Sequence, residues 1–300
     1  MMTRRETLKT ALAATALTGL GLRAQADTPL QWQYFQADEA GFNRTPVLVS
    51  GPTEAVLIDG GFTLSDGRAL AEAIRATGKR LTTIYVTCND PDYYFSLRPV
   101  VEAFPDAAVI AAPATVEAIN ANVQAKLDVW GPQLGENGPQ VLGDVVIPTP
   151  SEASSLSVDG QALNIVDVPT MHDRRYIHVP SLNAVFGGVL VYSGLHVWTA
   201  DEATTEARAA WIAALDDLLA LDPAMLIPGH QSEGAAQGVE AVRFTRDYLT
   251  AFDAEVTKAQ AAGQDSAAVI AAMTAAYPDL PGADSLELGA KVAMGEMEWG

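Results

Sequence analysis

Strand-forming runs fall in two sets, each closed by helices, and that order limits the possible folds more than any other feature of the sequence. In the first set, strands are predicted at 31–36, 46–50, 55–59, 81–87 and 107–111, and helices at 65–77, 97–103 and 113–129. Within 65–77, Ala69, Leu70, Ala73 and Ile74 share one helical face, and Gly78 sits where a helix ends. A Pro/Gly-rich stretch at 131–143 precedes the second set, with strands at 145–147, 155–158, 162–168, 175–179, 184–192 and 224–227 and a helix at 204–220. The remainder reads as helices at 238–261, 265–276 and 284–298, the last two parted by Pro278 and Pro281. With 49% of 300 residues apolar, the chain can bury one substantial core. The expectation is an α/β fold in which two sheets pack face to face with helices outside.

The N-terminus is a different kind of segment. Thr3-Arg4-Arg5-Glu6-Thr7-Leu8-Lys9 is a twin-arginine pattern, followed by an apolar stretch at 10–22 and then by Ala24-Gln25-Ala26. Those alanines are the small residues a signal peptidase reads. Residues 1–26 are therefore expected to be an export signal, cleaved after Ala26 on the way to the bacterial periplasm. No later apolar run is long enough to span a bilayer, so no membrane span is expected in the mature form. Loss of Arg4, Arg5, Lys9, Arg23 and Glu6 takes the formal charge from −19 to −22. Such a surface repels nucleic acid and anionic headgroups but does not identify a partner, a solvated acidic surface being the usual source of solubility; a small-molecule substrate or ligand is expected only from the functions that the candidate site residues allow. The single cysteine, Cys88, excludes an internal disulfide.

Several local signals coincide. Val56-Leu57-Ile58-Asp59-Gly60-Gly61 is a strand ending in an aspartate turn. Thr83-Ile84-Tyr85-Val86-Thr87 leads into Cys88-Asn89-Asp90-Pro91-Asp92-Tyr93. The stretch 180–192 reads as a hairpin, and Pro228-Gly229-His230 as a tight turn after a strand. In order and spacing these resemble the metallo-β-lactamase superfamily over about residues 31–235. The resemblance implies an αββα four-layer sandwich of two mixed β-sheets with helices outside. It implies a domain at 27–240, with 241–300 a helical extension packed on it.

The resemblance also implies a metal site, which this sequence matches only in part. The superfamily's His-x-His-x-Asp-His motif falls on Cys88, Asp90, Asp92 and Tyr93, of which only Asp92 is the motif residue. The bridging aspartate falls on Val189, which cannot bind metal, and the final histidine on His230. His172 is the candidate for the loop histidine, reaching the metal from a shifted loop or not at all. A dinuclear site built on five histidines is excluded, because the chain has four: His172, His178, His196 and His230. The expected metal residues are Cys88, Asp90, Asp92, His172 and His230. Cys88, Asp90 and His172 would hold one divalent ion, with zinc first and iron or manganese as alternatives. Asp92, His230 and His196 are the candidate catalytic residues, orienting water or carrying its proton.

Each residue also has a plainer role. Cys88 can be a ligand, a reactive thiol or a small buried residue. Asp90 and Asp92 can stabilise a turn around Pro91, and His196 can pack beside Trp198. Two functions follow. The leading one is an exported hydrolase of an ester, lactone, thioester or amide that works through a reduced, mononuclear metal site. The other is a non-catalytic periplasmic small-molecule-binding protein on the same fold, with no metal. A third, metal-free cysteine chemistry at Cys88, needs a nearby base.

Overall fold

A computed structural model describes residues 28–299. The predicted export signal at 1–26 lies outside the described residues. Among those residues, no helix is long and apolar enough to cross a membrane.

The first sheet runs β1 (Gln31–Tyr34), β2 (Val47–Ser50), β3 (Glu54–Ile58), β4 (Arg80–Val86), β5 (Ala108–Ala111) and β6 (Thr149–Pro150), in that spatial order. Its first three strands pair antiparallel and the rest parallel. Parallel pairing needs crossovers, supplied by α1 (Leu64–Ala76) between β3 and β4, α2 (Leu97–Ala103) before β5 and α3 (Pro113–Leu134) after it. Thr63 starts α1 with a capping box to Asp66, and Gly78, with φ 66°, follows its end. Gly67 lets α1 approach the start of α2: a Cβ there would stand 2.0 Å from the Ser96 carbonyl oxygen.

The second sheet has the order β12 (Met225–Leu226), β10 (Ala184–Phe186), β9 (Arg175–Val179), β8 (Gln161–Asp167), β7 (Ser155–Val158). It is antiparallel except where β10 meets β12. The two sheets bury a shared layer: Val47, Val49, Val56, Ile58 and Tyr85 from one, and Val158, Leu163, Ile177, Val179 and Phe186 from the other. Leu48, Leu57, Ile84 and Val86 face the opposite way and pack among helices. The result is the expected layering, helices–sheet–sheet–helices. On the far side, α4 (Thr205–Leu221) packs on α5 (Val239–Ala261), followed by α6 (Ser266–Ala276) and α7 (Ala283–Ala293). Tyr248, Leu249 and Phe252 of α5 belong to the same hydrophobic cluster as Trp211 and Leu215 of α4.

Three sequence expectations are corrected. The run at 145–147 is not a strand; a short 3-10 turn at Leu142–Asp144 precedes it and pairing begins at Thr149. The helix predicted to stop at 129 continues to Leu134 despite Pro132 inside it. The Gln140 side chain donates to the carbonyls of Gly131 and Gly135, satisfying acceptors at that helix end. The run at 184–192 is broken by Gly187 and Gly188, with φ of 73° and 78°. Its last part, β11 (Tyr192–Ser193), leaves the second sheet and pairs with β13 (His230–Gln231).

Candidate functional site

The site lies where β3, β4 and β10 end and β13 begins. Asp59 follows β3 with φ 63°, a conformation aspartate tolerates better than most residues. Its carboxylate accepts from Thr87 N (2.8 Å), Thr87 Oγ1 (2.8 Å) and Gly188 N (3.3 Å), joining the two sheets at their rims. After β4, Cys88 is buried and its Sγ stands 3.5 Å from Asp90 Oδ2. A 3-10 turn over Pro91–Tyr93 then brings Asp92 and Tyr93 inward.

At the far wall, His230 and Asp92 meet: Nε2 to Oδ2 is 3.4 Å. The Phe42 carbonyl, 2.8 Å from Nδ1, fixes the ring proton there and leaves Nε2 as an acceptor. Tyr192 stacks flat on the imidazole, with centroids 4.8 Å apart, and Tyr93 meets its edge. Thr245 of α5 bonds both the N–H and the carbonyl of Tyr192, so a C-terminal helix positions this stack. Burial pushes His230 down to about 3, helped by nearby Arg44, so the imidazole is neutral. Burial pushes Asp92 up to about 7; Arg44 opposes this and Asp90 adds to it. A protonated Asp92 can donate to Nε2 of His230. Asp92 Oδ2 otherwise has no hydrogen-bond partner among the described residues.

Two arginines complete the constellation. Arg44, 1% exposed, lies 3.7 Å from Asp59 Oδ2 and 3.5 Å from Asp92 Oδ2. It donates to the Asp92 and Gly229 carbonyls, and its guanidinium covers the Tyr93 ring at 3.3 Å. Arg174 lies 3.4 Å from Asp90 and 3.7 Å from both Asp201 and Glu202. Lys126 of α3 approaches Asp90 from the other side, at 3.8 Å. Burial pushes Asp90 up, but Arg174 and Lys126 outweigh it and hold the carboxyl below its ordinary value. Burial, reinforced by Asp90, raises the Cys88 thiol well above its usual range. Beside Arg174 a small cavity is lined by Met171, Val189, Tyr192, Trp198, Asp201 and Trp211.

The family model described as the metallo-beta-lactamase superfamily matches residues 41–230. The chain belongs to the metallo-beta-lactamase superfamily. No curated protein matches it. Among solved structures, it is similar to VMB-1, with 18% identity, a TM-score of 0.51, and 75% of this chain and 93% of the other covered. A metallo-beta-lactamase from Pontibacter korlensis is similar at 17% identity, TM-score 0.52, with 74% and 95% covered. The sec-alkyl sulfatase PisA1 is similar at 15% identity, TM-score 0.60; that match takes in 92% of this chain and 51% of the other. Identities this low establish the superfamily fold and nothing finer.

The superfamily fold implies metal, and the side chains present do not fit one. The expected ligands do not converge. Cys88 and Asp90 meet, and Asp92 and His230 meet, but His172 is exposed on the protein surface. Among the described residues, no three of His, Cys, Asp and Glu gather in a way that could hold a metal ion. The reason is local. Asp173 takes a left-handed conformation, φ 51°, and its carboxylate accepts from Thr115 Oγ1 and Arg175. So held, the loop turns Arg174 inward and leaves His172 outside. Val189 is buried on the cavity wall and supplies no donor atom.

His196 is placed differently from the expected catalytic position. It is buried, its Nδ1 is 2.8 Å from Tyr248 Oη on α5, and its backbone packs against Pro281 and Gly282. Its polar contact is with a C-terminal helix, and burial lowers its pKa. Sequence reasoning missed Arg44, Lys126, Arg174, Asp201 and Glu202. One signal for the cations was available: buried carboxylates at a motif short of histidines need positive charge from elsewhere in the chain.

Proposed function

We propose that this protein is an exported, periplasmic member of the superfamily that binds a small molecule in its cleft and does not hydrolyse it through a metal ion. The observation that carries this reading is the position of His172. Without it, Cys88 and Asp90 are two donors, short of the three protein ligands that hold a catalytic metal. The wall beside Arg174 supports ligand binding. Tyr192, Trp198 and Trp211 give flat apolar area, and the Arg174, Asp201 and Glu202 charges give orientation. The cavity admits about one water molecule as it stands, so binding has to open it. Opening falls to the rim, where Trp198 packs edge-on against Trp299 and both indoles donate to Asp201. The test is a thermal-shift screen of the mature chain, 27–300, with small amines, carboxylates, esters, lactones and β-lactams. A saturable stabilisation without turnover is expected. Turnover of any of them would refute the non-catalytic reading.

One observation favours hydrolysis as a second reading. Asp92 Oδ2 and His230 Nε2, 3.4 Å apart, are spaced as two ligands of a tetrahedral ion would be, roughly 3.4 Å for bonds near 2.1 Å. That reading requires Arg44 to release Asp92 and a third donor to arrive. Under it, zinc, iron or manganese would be bound and Asp90→Ala or His230→Ala would abolish activity.

A further inference from the structure

The cleft contains two neighbouring acid clusters, close enough for Asp90 to act on Asp92 and His230, and each holds one guanidinium. The first comprises Cys88 and Asp90, where the superfamily motif begins; Arg174 lies 3.4 Å from Asp90. The second comprises Asp92 and His230, with Asp59 behind; Arg44 lies 3.5 Å from Asp92 and 3.7 Å from Asp59. The geometry points to Arg174 and Arg44 as resident cations, side chains of the chain itself that take the charge-neutralising place of the two metal ions the fold is built around.

Three features of the structure support the substitution. Both guanidiniums are buried, Arg44 at 1% and Arg174 at 8% exposure, and arginine is seldom buried without acids to meet it. Each arrives from a segment already at the cleft. Arg174 comes from the loop expected to bring a histidine, and Arg44 pairs in an isolated bridge with His230 itself. The acids stand 3.4–3.7 Å from guanidinium nitrogens, within ion-pair reach, and Arg44 directs its N–H donors to the Asp92 and Gly229 carbonyls, which fixes its charge in the cleft. A divalent ion entering here would meet the positive charges of Arg44, Arg174 and, beside Asp90, Lys126. Asp59, Asp90, Asp92, Asp201 and Glu202 are thereby held together without a dissociable ion, so the rim does not depend on metal supply.

The inference deepens the metal-free reading and rests on it for the identity of the cleft, but not for any ligand. It is tested by thermal melting of the mature chain after chelation, with zinc chloride and magnesium chloride as the only probes. Four proteins are compared: wild type, Arg174→Ala, Arg174→Lys and Arg174→Ala/Asp90→Asn. Wild type should be unmoved by chelator or either ion. Arg174→Ala should melt at least about 5 °C lower and recover part of the loss when zinc or magnesium is added. The double variant, with one acid neutralised, should recover without added ion and lose the response. If Arg174→Ala does not fold, Arg174→Lys must, because it keeps a cation facing Asp201 and Glu202 as well as Asp90, which Lys126 alone does not. The inference is overturned if Arg174→Ala is as stable as wild type, if the ions stabilise wild type as much as the variant, or if Arg174→Lys also fails to fold. Failure to find a small-molecule ligand would count against the proposed function and leave this result intact.

Discussion

Replacing Arg44 with methionine should be among the most damaging single changes in this protein. The side chain is wholly buried, and methionine restores much of its volume, so a cavity is not the main cost. What disappears is the cation facing Asp59 and Asp92, the donors to the Asp92 and Gly229 carbonyls, and the plane stacked on Tyr93. Asp59 is completely buried, and burial already raises its pKa against the pull of Arg44, so without that cation it is left uncompensated or has to take up a proton. Breaking a buried pair from one side costs about 3–5 kcal/mol. For a chain of this size that lowers the melting temperature by roughly 10 °C. Urea denaturation at pH 7 gives the free energy, and a parallel Arg44→Met/Asp92→Asn variant separates charge from packing. The double variant should recover part of the loss, because Asp92 Oδ2 then no longer needs a cation. Arg44→Met within about 1 kcal/mol of wild type would refute the reasoning.

Other outcomes follow from the same geometry. His230 is held at about 3, below its ordinary 6.5, so its contribution to stability is complete above pH 6.5 and is lost as pH falls toward 3. Asp92, raised to about 7 from 3.8, acts oppositely: its contribution is complete below pH 3.8 and is lost as pH rises through 7. His230→Gln should therefore lose stability steadily from pH 4 to 7 where wild type changes less; identical pH profiles in urea denaturation would contradict both shifts. Cys88, buried with a raised thiol pKa, should resist an aromatic disulfide reagent at pH 7 in the folded protein and react fully once denatured. Stoichiometric labelling of the native chain within minutes would instead revive cysteine chemistry. Gly229→Ala puts a Cβ 2.2 Å from the Gly188 carbonyl and 2.8 Å from the Tyr93 hydroxyl, and should cost about 1–3 kcal/mol or more by denaturation; a neutral effect would mean that the β11–β13 turn is looser than described.

The fold was legible wherever local pattern and burial agree. β7 alternates exposed and buried residues, and β9 alternates buried and half-buried ones, and both fall on the predicted ranges. Legibility failed where a long-range contact decides the outcome. Gly187-Gly188 is a local break inside 184–192 that the apolar pattern hid: their φ of 73° and 78° end the strand at Phe186. What the pattern does not contain is the destination, since the close approach of Ile58 and the Arg175 carbonyl, which leaves no room for a Cβ, comes from distant segments. The site divided the same way. Asp59, Asp92 and His230 follow from their turns, and the structure brings Asp92 and His230 together. The roles of Arg44 and Arg174 depend on what faces them across the cleft, and an arginine in a loop looks like any surface arginine. His172 and Arg174 are two residues apart. Which one points inward is set by the backbone at Asp173, through its contacts with Thr115 and Arg175.

The metal content of the mature protein tests the central claim most directly. The full chain should be expressed with its N-terminal segment in place, the product purified without a metal-affinity column, and analysed by elemental mass spectrometry alongside its protein concentration. A cleft neutralised by Arg44 and Arg174 should carry zinc, iron and manganese at well below one atom per chain and take up none on dialysis against zinc. About one atom per chain, lost with chelator and regained with zinc, would contradict it.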